Sequence, residues 1–348
     1  MGGLTIAVTG AAGMLGSHLV ARLAEDGHDV VGIDVSEDAR SPQGVRHVVA
    51  DIRDGASLDR AFDGVDALVH CAAALPSYPA DQIRSVTVDG TRSVLSAAHR
   101  ARVDRVVHIS STAVYGLPRQ VPTPEEHPRQ PVDPYSRAKA EAEEVCEEFR
   151  GRGMCLSVLR PKTFLGPGRM GLFSMLFEWA EEGRNFPVLG KGDVRIQMFG
   201  MDDLVDAVVL ALHADPETAN DVYNLGAAQF GTLREDFQAV LDAAGHGRRV
   251  VPLPSRPALT MLRLLERGHL SPVYGRLLFK LLDDSYVDIS RAQERLGFKP
   301  EQSNQDAILR TYAWWRTQRR AGGHTPGKGR TSREPWRQGA LSLAKVFF

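Results

Sequence analysis

The chain has 348 residues, enough to bury one large core or two interleaved ones. Hydrophobic residues make up 43% of it and charged residues 24%, which is ordinary for a soluble globular protein. The net charge of −1 indicates neither a nucleic-acid partner nor a membrane-surface partner for the chain as a whole.

Three cysteines, Cys71, Cys146 and Cys155, form neither a metal-binding spacing nor a disulfide framework. We expect them to be buried thiols of a reducing compartment. No apolar run approaches the ~20 residues of a membrane span, and the N-terminus enters a strand without a signal peptide. These features predict a cytoplasmic, soluble protein with no membrane span and no metal site.

The first predicted element is a short apolar strand, Leu4 to Val8, followed by a glycine-rich turn and a helix that ends near Gly27. A second strand begins at Asp29 and ends at Asp34, 18 residues after Gly16. Glycines at such a turn let the backbone approach a pyrophosphate, which the N-terminal amides of the helix hold. A carboxylate at position 34 would accept hydrogen bonds from both ribose hydroxyls and repel a 2′-phosphate, so the pattern favours NAD over NADP.

Strands and helices then alternate over about 110 residues. This alternation predicts an α/β fold with a parallel, doubly wound sheet, whose ligands bind at the carboxyl ends of the strands. The glycine turn, Asp34, Asp51, Ala72 and Ser111 all fall at such ends. The predicted strands are 46–50, 66–70, 105–109 and 154–160, and the predicted helices are 56–62 and 81–100.

A Pro-rich connection over 116–134 precedes a helix-favouring run from Arg137 to Phe149. Tyr135 and Lys139 are four residues apart and therefore share one helical face. An ammonium beside a phenol favours the phenolate, which lowers the tyrosine pKa and suits it to acid/base work. A Tyr-x-x-x-Lys spacing is also common by chance, so a surface aromatic beside an ordinary helix charge is the alternative.

The alternation loosens after residue 166, where we predict helices over 172–181, 202–213, 232–244 and 289–298, the last closing the fold, and a strand over 222–225. Leucines between 253 and 282 predict a broad apolar face, interpreted as core packing. Residues 316–348 carry eight basic residues and one acid, a net +7 that leaves −8 for the rest. The tail from Gly322 is expected to be a mobile extension, or alternatively a basic-apolar contact with an anionic partner.

Taken together, these motifs resemble the extended short-chain dehydrogenase/reductase family, the group of NAD-dependent sugar epimerases and dehydratases. They occur in family order from Thr5 to about Gln318, and only the tail lies outside the resemblance. The matching stretches are Thr9-Gly10-Ala11-Ala12-Gly13-Met14-Leu15-Gly16, Asp51-Ile52-Arg53-Asp54, Ser110-Ser111-Thr112-Ala113-Val114-Tyr115-Gly116, Pro134-Tyr135-Ser136-Arg137-Ala138-Lys139, Leu159-Arg160-Pro161, Gly166-Pro167-Gly168, Met201-Asp202-Asp203, Tyr223-Asn224-Leu225-Gly226 and Leu296-Gly297-Phe298.

The resemblance implies a role for each site residue. Tyr135 would be the general acid/base, Lys139 would hold the nicotinamide ribose, and Ser111 would hydrogen-bond the reacting oxygen, with Thr112 as a competing neighbour. Arg195 falls where relatives place an arginine on a nucleotide-sugar pyrophosphate. The implied NAD contacts are Gly10, Gly13, Met14, Leu15, Gly16, Asp34, Asp51, Ile52, Ala72, Ala73, Tyr135 and Lys139, and the implied substrate contacts are Ser111, Thr112, Thr163 and Arg195.

We expect a Rossmann domain over 1–165, to which residues 200–226 return. A smaller, mostly C-terminal substrate-binding domain is expected over 166–199 and 227–320. A basic tail is expected over 321–348. Family similarity also implies a homodimer through the helices that contain Val94 and Glu144. The expected substrate is a small molecule, a nucleotide-linked sugar.

The residues leave three functions open. The first is NAD-dependent epimerisation of a nucleotide sugar, in which a ring hydroxyl is oxidised to a keto group and the hydride returns. The second is a dehydrogenase or ketoreductase on a keto sugar or non-nucleotide alcohol, favoured by the Leu-rich segment and by Thr163, where relatives carry asparagine. The third is a non-catalytic NAD-sensing scaffold, which the joint presence of Ser111, Tyr135 and Lys139 disfavours. Thr112 and Ala113 replace the Asp-Glu pair of 4,6-dehydratases.

Overall fold

A computed structural model describes residues 3–36, 44–168, 173–255, 257, 260 and 282–321. The strands are β1 (Thr5–Thr9), β2 (Asp29–Asp34), β3 (Arg46–Val49), β4 (Ala67–His70), β5 (Arg105–Ile109), β6 (Leu156–Pro161), β7 (Thr163–Leu165), β8 (Phe186–Leu189), β9 (Met198–Gly200), β10 (Val222–Leu225) and β11 (Val250–Leu253). Seven of them form one parallel sheet in the order β10-β6-β5-β4-β1-β2-β3. Two small parallel pairs, β11-β8 and β7-β9, lie outside it.

The helices cover both faces of this sheet. They are α1 (Met14–Glu25), α2 (Gly55–Ala61), α3 (Ala80–Arg84), α4 (Gly90–Ala101), α5 (Pro134–Gly151), α6 (Phe173–Glu181), α7 (Met201–His213), α8 (Pro216–Ala219), α9 (Leu233–Ala244), α10 (Ser290–Leu296) and α11 (Asn304–Arg320). A π-helical turn, Ser85–Asp89, joins α3 to α4, and a 3₁₀ turn, Thr112–Tyr115, follows β5.

Alternate residues of each strand pack into separate cores, because neighbouring side chains of a strand point to opposite faces. Val8 joins a core with α1 and α7, whereas Ala7 joins a core with α2, α4 and α5. A third core outside the large sheet packs α6, α9 and α11 around aromatic side chains that include Phe177 and Trp315. The doubly wound α/β class with a smaller C-terminal part is therefore confirmed.

The strands of the large sheet and the helices between them follow one another along the chain as the sequence predicts, with differences at particular places. The single helix expected over 81–100 is divided by the π-helical turn. The helix expected over 289–298 is shorter and does not close the fold, because α11 follows it, capped by the Ser303 side chain. The expectation of three buried thiols is right for Cys146 and wrong for Cys155, which is partly exposed; Cys71 is partly exposed as a residue, but its thiol group is buried.

Most of the Leu-rich segment and the tail from residue 322 lie outside the described residues. Within the described part of the chain, no helix is long and apolar enough to span a membrane. In the same part of the chain, no group of three or more His, Cys, Asp or Glu side chains is arranged to hold a metal ion.

Candidate active site

Tyr135 lies in the first turn of α5, at a helix start that the local sequence specifies strongly. Asp133 caps the helix by accepting a 2.7 Å hydrogen bond from the Ser136 amide, and the Ser136 hydroxyl in turn accepts from the Asp133 amide. Pro134 occupies the first helical position, where its fixed φ suits a helix and no amide is missed. The half-buried Tyr135 ring is therefore held at a rigid point rather than on a mobile loop.

Lys139 lies one turn further along the same face and is almost completely buried, with 4% of its surface exposed. Its ammonium donates a 2.8 Å hydrogen bond to the carbonyl oxygen of Ile109, the last residue of β5. Burial lowers the pKa of Lys139 to about 8, while Cys71, Glu143 and Cys146 oppose the shift. A cation is thus held near neutral pH between helix α5 and the strand end that precedes Ser111.

Ser111 follows β5 in an extended conformation and caps the 3₁₀ turn after it. Its Oγ accepts a 3.1 Å hydrogen bond from the Ala113 amide. A hydroxyl that accepts in this way keeps its proton for donation to another oxygen. The neighbouring Thr112 hydroxyl donates to the Pro161 carbonyl at 3.4 Å, so the geometry favours Ser111 over Thr112 as the donor to a reacting group.

The Pro-rich connection brings α5 back to this strand end. Gly116 has a φ of +68°, and a Cβ there would collide with the Gln130 carbonyl, so the returning chain passes close to the turn. The Gln130 amide also donates to the Val114 carbonyl at 2.9 Å. The strand end that precedes Ser111 and the helix that carries Tyr135 and Lys139 are thereby brought together at the carboxyl end of β5.

The glycine turn between β1 and α1 has the geometry of a phosphate cradle. Gly10 has a φ of +71°, and a Cβ on it would lie 2.9 Å from the backbone of Ala72. A Cβ on Gly13 or Gly16 would also strike the Gly10 carbonyl. No side chain caps α1 and its first turn holds no acid, so its N-terminal amides and dipole face a site suited to an anion. Met14 and Leu15 are buried beneath this turn.

Asp34 is tied directly to the glycine turn. One carboxylate oxygen accepts from the Ala12 amide at 3.0 Å, and the other accepts from the amide and hydroxyl of Ser36, each at 3.1 Å. These contacts fix the carboxylate at the end of β2, where a ribose diol would meet it.

At the far end of the expected dinucleotide site, Asp51 pairs with Arg53 at 2.5 Å. The hydrogen bond from the Arg53 guanidinium holds the pKa of Asp51 below its ordinary value. Ile52 is buried against Gly90 of α4, where a Cβ would lie 2.5 Å from the Ile52 Cδ1. The carboxylate is thus fixed at the surface and the isoleucine inside.

His70 is a buried residue of the cofactor side that the sequence reading overlooked. Thr91 donates its hydroxyl proton to the Thr87 carbonyl, so it accepts from His70 Nε2 at 3.0 Å. His70 Nδ1 then accepts from the Thr9 hydroxyl at 2.7 Å, and Thr9 accepts from the Ala72 amide at 3.4 Å. Burial lowers the pKa of His70 to about 3. A neutral histidine therefore links the loop of Ala72 and Ala73 to β1. The position of His70 in the sequence, directly before that loop, could have indicated this role.

The two remaining predicted contacts, Thr163 and Arg195, belong to the small β7-β9 pair and its approach. Thr163 is exposed and pairs with Met198, three residues after Arg195. The exposed Arg195 guanidinium lies over the rings of Phe230 and Tyr286, at 4.8 and 5.3 Å from their centroids. A cation beside two aromatic faces has the chemistry to hold a phosphate and an aromatic base.

Comparison with known families decides the class of this site. The model of the NAD dependent epimerase/dehydratase family matches residues 6–226, which is more than half of the chain. The chain belongs to this family. The resemblance seen in the motifs is therefore confirmed, and the family description makes the protein an NAD-dependent enzyme of the epimerase/dehydratase class.

Individual proteins are similar to the chain over most of its length. The uncharacterized protein y4nG of Sinorhizobium fredii is 34% identical over 97% of this chain and 85% of its own length. The UDP-glucose 4-epimerase of Mycolicibacterium smegmatis is 31% identical over 89% of this chain and 97% of its own. Among solved structures, the UDP-glucose 4-epimerase of Thermotoga maritima with UDP-glucose has a TM-score of 0.75 and 24% identity, covering 90% of this chain and 99% of that one.

NAD fits the residues that this chain provides. The family's cofactor needs a backbone cradle for its pyrophosphate and a carboxylate for its ribose. The cradle is present as three glycines at which a Cβ would collide with backbone, and the carboxylate is Asp34, hydrogen-bonded to the same turn.

Proposed function

We propose that this protein is an NAD-dependent epimerase of a nucleotide-linked sugar, with a UDP-sugar as its substrate. The observation that carries the proposal is the assembly of three groups at the end of β5. The Lys139 ammonium is bonded to Ile109, the Ser111 hydroxyl retains its proton, and Tyr135 is fixed in the first turn of the same helix as Lys139. The names of relatives support the nucleotide sugar as the substrate class.

In this proposal, Tyr135 removes the proton of a ring hydroxyl and later returns it to the same oxygen, while the hydride would return to the opposite face of the sugar carbon. The Lys139 ammonium stabilises the phenolate and holds the nicotinamide ribose, and Ser111 donates to the reacting oxygen. Bound NAD would supply the acceptance and return of a hydride at that carbon. Fixing all of these groups around one carbinol is the main contribution of the protein.

On the substrate side, we assign Arg195 to a pyrophosphate and Thr163 to the sugar or its link. Support comes from the exposed guanidinium over Phe230 and Tyr286, which leaves a positive, aromatic surface beside β9. A 4,6-dehydratase is disfavoured because Thr112 binds the Pro161 carbonyl and Ala113 has no acid/base group. We also propose that residues 1–165 and 200–226 form the Rossmann domain and that residues 166–199 and 227–320 form the substrate-binding domain.

The test is incubation with UDP-glucose in D₂O, followed by proton NMR of the sugar. We expect UDP-galactose to form with catalytic NAD, no net absorbance change at 340 nm, and no deuterium at the epimerised carbon. Deuterium at that carbon would contradict hydride return, and NADH formed in proportion to turnover would contradict epimerisation. The Tyr135→Phe variant should lower the turnover rate by roughly 100-fold or more and should still bind NAD.

A second candidate is a net dehydrogenase or ketoreductase on a non-nucleotide alcohol. Two observations favour it. Thr163 is a smaller hydrogen-bonding group than the asparagine of relatives, and Leu117, immediately after the Ser111 turn, is 49% exposed. A smaller polar group at position 163 and an exposed apolar side chain six residues after Ser111 would suit a less polar substrate. Stoichiometric NADH with such an alcohol, and no reaction with UDP-sugars, would establish this candidate instead.

We further propose a cytoplasmic homodimer that pairs through the helices containing Val94 and Glu144. The free thiols agree with a reducing compartment. The surface of α5 carries exposed Arg137 and Glu144 and half-buried Glu141, and opposite charges on one helix suit pairing with a second, antiparallel copy. Sedimentation equilibrium of the purified protein tests the dimer.

A further inference from the structure

Behind the candidate active site, the carboxylate of Glu143 on α5 is buried, with 2% of the residue exposed. One of its oxygens accepts from the Ser110 hydroxyl at 2.5 Å and from Arg160 Nε at 2.9 Å. The other accepts from the Arg160 guanidinium at 2.6 Å and from Arg129 at 3.4 Å. Both oxygens are therefore committed, and one of the donors is the residue directly before Ser111.

Arg160, on β6, extends this contact to the other end of the Ser111 turn. Its guanidinium donates to the Tyr115 hydroxyl at 2.7 Å and to the Glu125 carbonyl at 3.0 Å. The Tyr115 hydroxyl in turn donates to the Asn224 side chain at 2.8 Å. Burial raises the pKa of Tyr115, so the hydroxyl stays protonated and keeps this direction of donation.

The two contacts have one geometric consequence. Ser110 and Tyr115 flank the turn that carries Ser111, and both are fixed to the Glu143–Arg160 pair. Glu143 is four residues after Lys139 and eight after Tyr135, so all three lie on one face of α5. The carboxylate thus connects the strand end that carries the hydroxyl donor to the helix that carries the acid/base pair.

We propose that Glu143 is a positioning residue of the active site, which sets the register of Ser111 against Tyr135 and Lys139. This inference rests on the proposed function for the roles of those three residues. A buried ion pair adds little net stability over apolar side chains of similar size, whereas its directional bonds fix one arrangement of the strands and the helix around it.

Glu143 is also the acidic group that faces Lys139 in the interior. The nearby Cys71 thiol has its pKa raised by burial to about 12, and burial likewise raises the pKa of Cys146. The nearby His70 and His108 are neutral because burial lowers their pKa values. The negative charge of Glu143 therefore raises the pKa of the Lys139 ammonium against the effect of burial.

Glu143→Gln tests the inference with little change of shape. The new amide nitrogen would face donors from Arg160 or Ser110, so the Ser111 turn should shift relative to α5. Because displacements of about 1 Å can cost on the order of 100-fold in rate, we expect kcat to fall by 10- to 100-fold. The KM and the NAD Kd should stay within about threefold, since the glycine turn and Asp34 do not contact this pair.

The matched control is Glu147→Gln, one turn further along α5, where the exposed carboxylate pairs with Arg129 at 2.9 Å. Its kcat should stay within about twofold of the parent, because exposed ion pairs contribute little. An equal kcat in Glu143→Gln and Glu147→Gln would overturn the proposal.

Two further measurements separate positioning from folding and from substrate choice. The double variant Glu143→Met with Arg160→Met replaces the ion pair by apolar groups. A parent-like Tm with a low kcat supports positioning, whereas a parent-like kcat overturns it. The pKa of Lys139, followed by NMR of its ammonium without any substrate, should fall in Glu143→Gln and stay unchanged in Glu147→Gln. The NMR result does not depend on turnover of UDP-glucose. A failure to turn over UDP-glucose would count against the proposed function, whereas an unchanged Lys139 pKa in Glu143→Gln would count against the role of Glu143.

Discussion

The Lys139 ammonium is bonded at 2.8 Å to the carbonyl oxygen of Ile109, two residues before Ser111. The contact places a buried cation at the strand end where the candidate donor lies. Burial also removes the ammonium from water. Desolvation favours the neutral amine and lowers the stability of the folded state. Function and stability are therefore opposed at this residue.

Lys139→Met is expected to abolish activity and to stabilise the fold at neutral pH. The pKa of Lys139 is lowered from 10.5 to about 8, so the folded state binds fewer protons than the unfolded state between these values. The cost of the buried charge is full below pH 8 and disappears near pH 10.5. After the lost hydrogen bond is allowed for, the variant should gain about 2 kcal/mol at pH 7.

Urea unfolding at pH 7 and pH 10 measures this difference, with exposed Lys191→Met as the control. A variant that is less stable than the parent at pH 7 would contradict the account. Turnover should fall by about 100-fold or more, because the phenolate loses its counter-charge.

Asp34→Ser should weaken NAD binding and reduce the preference for NAD over NADP. The carboxylate is held by Ala12 and Ser36 at the end of β2. Losing a charge-assisted bond to a ribose is worth about 2 kcal/mol, or roughly a 30-fold rise in the NAD Kd. Calorimetric titration with both cofactors gives the two values. Asp29→Ser, at the exposed opposite end of β2, should leave both constants unchanged, and parent-like discrimination in Asp34→Ser would reject the role of Asp34.

Gly10→Ala should impair both folding and NAD binding, because position 10 combines a positive φ with a close approach to Ala72. Gly27 has a φ of +86° but open space around it, so Gly27→Ala carries the same backbone strain without the collision. We expect Gly27→Ala to cost about 1 kcal/mol of unfolding free energy and Gly10→Ala at least twice that. Thermal unfolding and NAD titration compare the pair, and equal behaviour would show that the close approach does not matter.

The buried Asp236 carboxylate should make the free energy of unfolding depend on pH, independently of catalysis. Its carboxylate is fully buried on α9 and accepts one 2.8 Å hydrogen bond, from the Asn304 amide, while its other oxygen has no partner among the described residues. Burial raises the pKa of Asp236 from 3.8 to about 6. The folded state thus binds the extra proton, so the stability that this group contributes at low pH is lost as the pH rises from about 4 to 6.

Asp236→Asn should therefore be more stable than the parent above pH 6, by about 2 kcal/mol, and about equal to it near pH 4. Urea unfolding across this range tests the slope, with the exposed Asp242→Asn on the same helix as the control. A pH slope in Asp236→Asn equal to that of the parent would assign the titration to another group.

The elements of the large sheet could be predicted from sequence because local pattern and tertiary role coincide there. The strand over Val222–Leu225 is an example in the sheet. The helix that starts beside Thr232 packs in the third core and was predictable for a similar reason, because a capping box specifies its start. The short strands β7, β8, β9 and β11 were not predicted, because they lie outside the regular strand-helix alternation that indicated the equally short strands of the large sheet.

The last helix of the described chain, α11, was not predicted for a different reason. The helix α11 mixes buried Trp315 and Tyr312 with many charges, so its apolar face is weak in sequence although it is well packed in the third core. The site shows the same division. Tyr135 and Lys139 are neighbours in sequence, whereas Arg160 and Asn224 meet Tyr115 only through the strand order. Such contacts depend on the whole topology, and no local spacing indicates them.

The order of strands also bears on how the chain behaves while it is being synthesised. Strand β10, from Val222, covers the edge of β6, whose six residues are all buried in the complete sheet. Until β10 has been made, β6 is an uncovered edge with apolar residues on both faces, which can pair with another chain. Ribosome-bound or prematurely terminated chains that end before Val222 should therefore aggregate through β6, and chaperones that shield strand edges should act on this protein at that stage.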